Sequence, residues 1–178
     1  SNPESSAWSG SSGLNFLTLG RVELAGDCIR AYKQAFDERG SPAGPPLDFP
    51  GGTAIGVNRH MVIADSDEEA KEIARPAYEH WFASLMKLWV DNKVQGPAIA
   101  RDTMGDLDAA MDQGSVIAGS PETVHAEIAR QIERLGVNYV TAAFYFGTIT
   151  HDDAMRSLAL FTDEVMPGFD APDAVVHG

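Results

Sequence analysis

The side chains that can do chemistry in this chain are few, and their spacing limits what they can do. Histidines stand at 60, 80, 125, 151 and 177, with no H-E-x-x-H arrangement and a single cysteine, Cys28. Zinc sites need three or four His, Cys or carboxylate ligands at set spacings, so no metal is expected. His60 belongs to Asn58-Arg59-His60, a polar interruption of an apolar run. Strand alternation puts Ile55, Val57, Arg59, Met61 and Ile63 on one face and Ala54, Gly56, Asn58, His60 and Val62 on the other. The second face is small and polar; it can line a cofactor cavity, or His60 can be an ordinary satisfied core histidine. Tyr78, Trp81, Phe82 and Trp89 recur at helical spacing and read as core or interface. Asp65/Asp67 and Asp152/Asp153 fall at helix starts, where caps and the macrodipole account for acids. No nucleophile elbow, Walker loop, dinucleotide glycine motif or catalytic carboxylate pair is present.

The elements that must position these residues alternate between strand and helix. SNPES opens a helix, with Asn2 as cap, Pro3 at the first helical position and Glu4 in the acidic first turn. The SSAWSGSSG that follows is rich in Ser and Gly, poor helix formers, which predicts a loosely ordered first segment. Leu14–Leu19 has the length of a buried strand, and LAGDCIRAYKQAFDERG has helical spacing up to Gly40. After a Pro- and Gly-rich loop, TAIGVNRHMVIA reads as a second, longer strand. Ser66 and Glu69 form a capping box for a helix with Ala70, Ile73, Ala74, Ala77, Trp81 and Leu85 along one stripe, which Pro76 is expected to kink or split.

Residues from about 91 to 114 read as an irregular excursion with one short helix around Leu107–Met111. Ser120, Pro121 and Gly136 then bracket a strongly amphipathic helix carrying Val124, Ile128, Ile132 and Leu135. VNYVTAAFYFG is a third strand, Thr150 caps a last helix ending at Pro167, and about 168–178 reads as a loose tail. One domain over 1–178 is expected: an α/β chain with about three parallel strands, each followed by a helix. A closed (β/α)₈ barrel takes about 250 residues and eight strands, so three strands amount to a partial barrel, the back part of something larger.

Composition narrows the partners. A 44% hydrophobic chain of 178 residues can bury one sizeable core, while 26 acidic against 13 basic residues give a net charge of −13. That charge disfavours nucleic acid and anionic membranes. One cysteine, no apolar stretch near 18 residues and no signal pattern make the cytoplasm the expected compartment.

SNPES at a helix start, VNRHMVIADSDEEAKEIA, GSPETVHAEIARQIERLGVNYVTAAFYFG and SLALFTDEVMP, in that order and spacing, resemble the C-terminal half of the bacterial luciferase-like, flavin-dependent monooxygenases. The resemblance runs almost the whole chain. It implies part of a (β/α)₈ barrel that binds reduced FMN, or in some branches the deazaflavin F420, and uses O2 to oxidise a small organic substrate. It also implies that the SNPES loop lies on the cofactor phosphate, making Ser1, Asn2 and Ser5 the candidate phosphate ligands. Phe146, at the end of the aromatic strand next to Gly147, is the candidate cavity residue, since barrel enzymes place active-site loops there. Two readings follow: a flavin-dependent monooxygenase whose N-terminal half is elsewhere, or a non-catalytic, self-associating α/β domain of the same descent without cofactor. Either way the open sheet edges call for a homo-oligomer or a missing N-terminal half.

Overall fold

Asn2 turns the chain into its first helix: its side-chain oxygen accepts the Ser5 N–H at 2.8 Å, and Pro3 takes the first helical position. The computed structural model describes residues 2–40, 53–96 and 105–169. Helix α1 (Pro3–Ser11) leads into a short strand β1 (Phe16–Thr18) and helix α2 (Val22–Glu38). Strand β2 (Ile55–Ile63) runs into helix α3 (Asp67–Asp91), capped by Ser66 as the capping box predicts. Then come α4 (Leu107–Asp112), β3 (Val116–Gly119), α5 (Pro121–Leu135), β4 (Tyr139–Ala143) and α6 (His151–Leu160), the last continued by a wide turn over Phe161–Val165 and a tight one over Met166–Gly168.

Several expectations change. The sheet has four strands, not three: Val116–Gly119 is a strand of its own, placed directly before the Ser120 cap. Phe144, Tyr145 and Phe146 lie beyond the end of β4 at Ala143. Pro76 does not split its helix, which is continuous from Asp67 to Asp91 and anchored by the buried Ala70, Ala74, Ala77 and Tyr78. The Ser- and Gly-rich α1 is a formed helix docked on α2, with Gly10 against the Tyr32 carbonyl. The Pro-rich loop 41–52, residues 97–104 of the excursion and 170–178 of the tail lie outside the described residues, as does Ser1.

All pairings are parallel and all run through β2. β1 and β4 both pair with Gly56 and Val57, so they occupy opposite edges of β2. β3 and β4 both pair with His60, which puts β3 on the same edge as β1 but further along. Among the described residues the sheet is open.

The alternation read from the sequence separates the two faces. Val57, Met61 and Ile63 pack with Ile29 and Tyr32 of α2 and with Val124 and Ile128 of α5. Val62, Val116 and Ala118 pack on the other face against Ala70, Ala74 and Ala77 of α3 and Leu107 of α4. The sheet is thus sandwiched, with α3 crossing to the face that carries His60. That cover is partial: toward the strand starts, Leu17 and Tyr139 flank Gly56 and are 44% and 41% exposed.

Candidate functional site

The site begins where a strand edge loses its neighbour. β1 leaves β2 at Val57 and β3 joins it at His60, so the backbone of Asn58 and Arg59 has no strand on that edge. Two loops fill the gap. Gly20, at φ +91° where a side chain would be strained, ends the turn after β1, and Ser115 precedes β3. They are joined by the Val22 N–H donating to the Gln113 carbonyl at 2.9 Å.

Arg59 fixes this junction from the opposite face. Its Nη1 donates to the carbonyls of Gly20 (3.1 Å) and Asn58 (2.8 Å), and its Nε to Gln131 Oε1 (2.7 Å). Gln131 Nε2 in turn donates to the Gly114 carbonyl at 3.0 Å. Arg59 is 1% exposed; burial lowers its pKa to about 10, opposed by the Glu127 carboxylate, so it stays charged at neutral pH.

On the His60 face, Leu19, Gly20, Asn58, His60, Tyr78, Trp81, Phe82, Leu85 and Ser115 enclose a cavity of about 190 Å³. None of these side chains carries a formal charge at neutral pH. The aromatic wall comes from α3, where residues 78, 81, 82 and 85 fall on one helical face. The His60 ring lies 4.3 Å from Trp81, 4.5 Å from Phe146 and 6.4 Å from Tyr78, centroid to centroid. Burial among these rings pushes its pKa down to about 4, so the imidazole is neutral at physiological pH. Asn58 Nδ2 donates to Thr141 Oγ1 at 2.8 Å, which orients the amide, and Ser115 Oγ donates to the Ala110 carbonyl at 3.0 Å.

The residues singled out in the sequence fall in two places. Asn2 and Ser5 stand together at the start of α1, bonded to each other: besides the cap, Ser5 Oγ donates to the Asn2 carbonyl at 3.1 Å. Pro3 has no N–H and the Ser6 N–H goes to the Asn2 carbonyl, so among the described residues the Glu4 N–H is the donor this turn leaves for an outside acceptor. α1 lies along α2 with Gly10 in its last turn against Tyr32 and Phe36, then leads into the start of β1. Its first turn therefore points toward the end of the sheet where β1 stops. Phe146 is buried against His60, behind the cavity wall rather than on it. The sequence leaves Asn58 and His60 between cavity lining and ordinary core, and it does not single out Leu19, Gly20 or Ser115. The aromatic residues of α3 carried a signal, helical spacing, that does not say whether the stripe meets core or cavity.

Among the described residues no three His, Cys, Asp or Glu side chains gather as a metal site, and no helix is long and apolar enough to cross a membrane.

A family model described as luciferase-like monooxygenase matches residues 1–139. The uncharacterized protein y4wF of Sinorhizobium fredii is 26% identical over 167 residues, 92% of this chain and 45% of its own length. In fold, the chain is similar to the oxygenating constituent of 3,6-diketocamphane monooxygenase from the CAM plasmid of Pseudomonas putida, solved in complex with FMN. The TM-score is 0.66 and the identity 20%, over 92% of this chain and 45% of that one. It is also similar to the coenzyme F420 dependent tetrahydromethanopterin reductase of Methanopyrus kandleri, with a TM-score of 0.60 and 16% identity over 94% of this chain and 49% of that one. The chain thus spans about half the length of the relatives it matches.

Proposed function

Because this chain belongs to the luciferase-like monooxygenase family, we propose that it supplies one wall of a reduced-flavin site at which a small organic molecule is oxidised by O2. The observation that carries the reading is the uncharged aromatic cavity between Asn58, His60 and α3, at the gap where β1 stops and β3 begins. Its 190 Å³ is below the roughly 300 to 1,000 Å³ of pockets that enclose a ligand, which fits a half-site. The exposed Leu17 and Tyr139 support the same view, since a barrel interior would hide them. On this reading the other wall is a second polypeptide segment, which the coverage of only about half of each relative supports.

The residues present fit a flavin nucleotide in two parts. The start of α1 offers a phosphate the Glu4 N–H and the positive end of the helix dipole, with Asn2 as a neutral cap, Ser1 in the preceding position, and the Ser5 hydroxyl, which must turn from the Asn2 carbonyl to donate. The α3 rings offer an apolar, planar surface. The cofactor is FMN or F420, as in the relatives solved with or dependent on these two. When bound, the reduced flavin supplies the electrons and the reactivity toward oxygen. Trp81, Phe82 and Leu85 exclude water from one side of the reaction, and Asn58 and His60 orient what lies against them.

The test is anaerobic titration with reduced FMN and with reduced riboflavin, followed by fluorescence and run beside Asn2→Ala and Ser5→Ala. FMN binding that exceeds riboflavin binding, and falls severalfold in both variants, is expected. If neither this polypeptide nor a longer one containing it binds flavin, the proposal is wrong. The second reading, a self-associating domain without cofactor, is favoured by the exposed Leu88 and Val90 at the far end of α3 and Val94 just beyond it. It predicts a concentration-dependent oligomer that Val90→Glu dissociates, measured by light scattering.

A further inference from the structure

The cavity has a polar side that its aromatic wall does not explain. Asn58 and His60 are two residues apart on one strand, so their side chains point the same way about 7 Å apart. One of the two amide N–H groups of Asn58 is committed to Thr141, and the Ser115 hydroxyl proton to Ala110. The neutral imidazole keeps one N–H to donate, and among the described residues its neighbours are rings. Among the described residues no lysine or arginine lines the space. Arg59, adjacent in sequence, faces the other side of the sheet and is held there by Gln131 and Gly20.

We infer that this cavity selects an uncharged ligand whose carbonyl or hydroxyl oxygen accepts a hydrogen bond from His60, and that it rejects carboxylates of the same shape. The inference rests on reading the cavity as part of the organic-substrate site. A ketone oxygen pairs the imidazole N–H inside a part-buried, largely apolar space. A hydrocarbon of equal size fills the space but leaves that donor unpaired. A carboxylate loses its water and meets aromatic faces, with no cation to receive it and a chain of net charge −13 around it.

Three probes separate these cases: acetophenone, ethylbenzene as its oxygen-free isostere, and benzoate. Each is titrated into the protein at pH 7 with the histidine ring nitrogens labelled for NMR. Acetophenone is expected to shift the His60 resonances and to bind about tenfold more tightly than either of the others, the worth of one net hydrogen bond. In His60→Phe, which keeps the ring packing, acetophenone affinity is expected to fall to that of ethylbenzene, and His60→Gln is expected to restore part of the difference. Ethylbenzene binding to His60→Phe reports that the cavity is still formed. The inference is overturned if benzoate binds as well as acetophenone, if His60→Phe with an intact cavity leaves acetophenone affinity unchanged, or if acetophenone leaves the His60 resonances in place. A flavin titration of the same samples separates the two proposals. Flavin binding without acetophenone at His60 removes the inference and leaves the flavin reading. Acetophenone at His60 in a polypeptide that binds no flavin, alone or within a longer chain, does the reverse.

Discussion

Asp67, the first residue of α3, crosses to the start of α5 and accepts the Ser120 N–H at 2.8 Å and the Thr123 hydroxyl at 3.1 Å. The chain has two Pro-Glu helix openings, and at this one its own carboxylate takes the place of an external anion. The Ser120 N–H, above the other causes, holds the Asp67 pKa below its ordinary 3.8. At α1 the cap is the neutral Asn2 amide, which is why the phosphate proposal falls on that opening alone. Asp67→Ala is expected to cost about 1 to 2 kcal/mol and Asp67→Asn less, read by urea unfolding at pH 7. A carboxylate with a lowered folded pKa stabilises above its unfolded value and loses that contribution as the pH falls. The stability gap between the parent protein and Asp67→Asn should therefore close below pH 3.8. A gap unchanged down to about pH 2, well beneath the ordinary carboxylate range, contradicts this role.

Gly10 gives a prediction opposite in sign to helix propensity. Alanine in an exposed helix interior gains about 1 kcal/mol over glycine. A Cβ at Gly10, however, would stand 2.3 Å from the Tyr32 carbonyl oxygen and 3.1 Å from the Phe36 nitrogen, both backbone atoms of α2. Gly10→Ala is expected to lower stability by roughly 1 to 3 kcal/mol through this overpacking and to raise hydrogen exchange over Pro3–Ser11. Ser9→Ala, on the exposed side of the same helix, should be neutral or slightly stabilising. A more stable Gly10→Ala protein would show that α1 does not sit close against α2.

The aspartate and glycine contacts mark how far the sequence can be read. Local grammar was legible: the Ser66, Ser120 and Thr150 caps, the left-handed Gly136 at φ +59° and the alternation along β2 are all present in the structure. β3 was not, because four residues running straight into a helix cap are too few to display a period. The spacing of Ala70, Ala74, Ala77 and Trp81 defines which side of α3 is apolar but not which face of the sheet it meets, so the aromatic wall of the cavity could not be located. The low propensity of α1 predicts looseness, whereas its glycine permits close helix contact, a long-range property absent from any local window. Gly20 and Ser115 acquire meaning only through the register that leaves Asn58 and Arg59 without a strand beside them.

Arg59 tests whether that junction is held from behind. Removing one member of a buried, hydrogen-bonded charge network costs about 3 to 5 kcal/mol, whereas replacing the polar members together by apolar ones of similar volume costs much less. Arg59→Met is thus expected to be strongly destabilising, since it strands Gln131 Oε1 and the Gly20 carbonyl. Adding Gln131→Met should recover part of the loss, and the double-mutant cycle by urea unfolding gives the coupling. Strict additivity of the two substitutions would mean that Arg59 and Gln131 do not act as a unit.

His60 makes the stability of the cavity depend on pH. Its folded pKa is lowered from 6.5 to about 4 by burial among Tyr78, Trp81 and Phe146. Between those values the unfolded chain binds a proton that the folded chain does not, so stability falls as the pH drops through this window and is unaffected above it. At about 1.36 kcal/mol per pH unit the loss is at most roughly 3 kcal/mol. Glu23, Asp67 and Glu69 act lower, because all three are held below their ordinary range and lose their contribution only beneath it. Unfolding free energies from about pH 7.5 to about pH 4.5, a range that spans the ordinary histidine value, should therefore decline in the parent protein and stay nearly level in His60→Gln, which keeps a polar side chain but cannot take the proton. Parallel curves for the two proteins, or a His60 NMR titration centred near the ordinary 6.5, would put the imidazole in water and remove the apolar cavity on which both functional proposals depend.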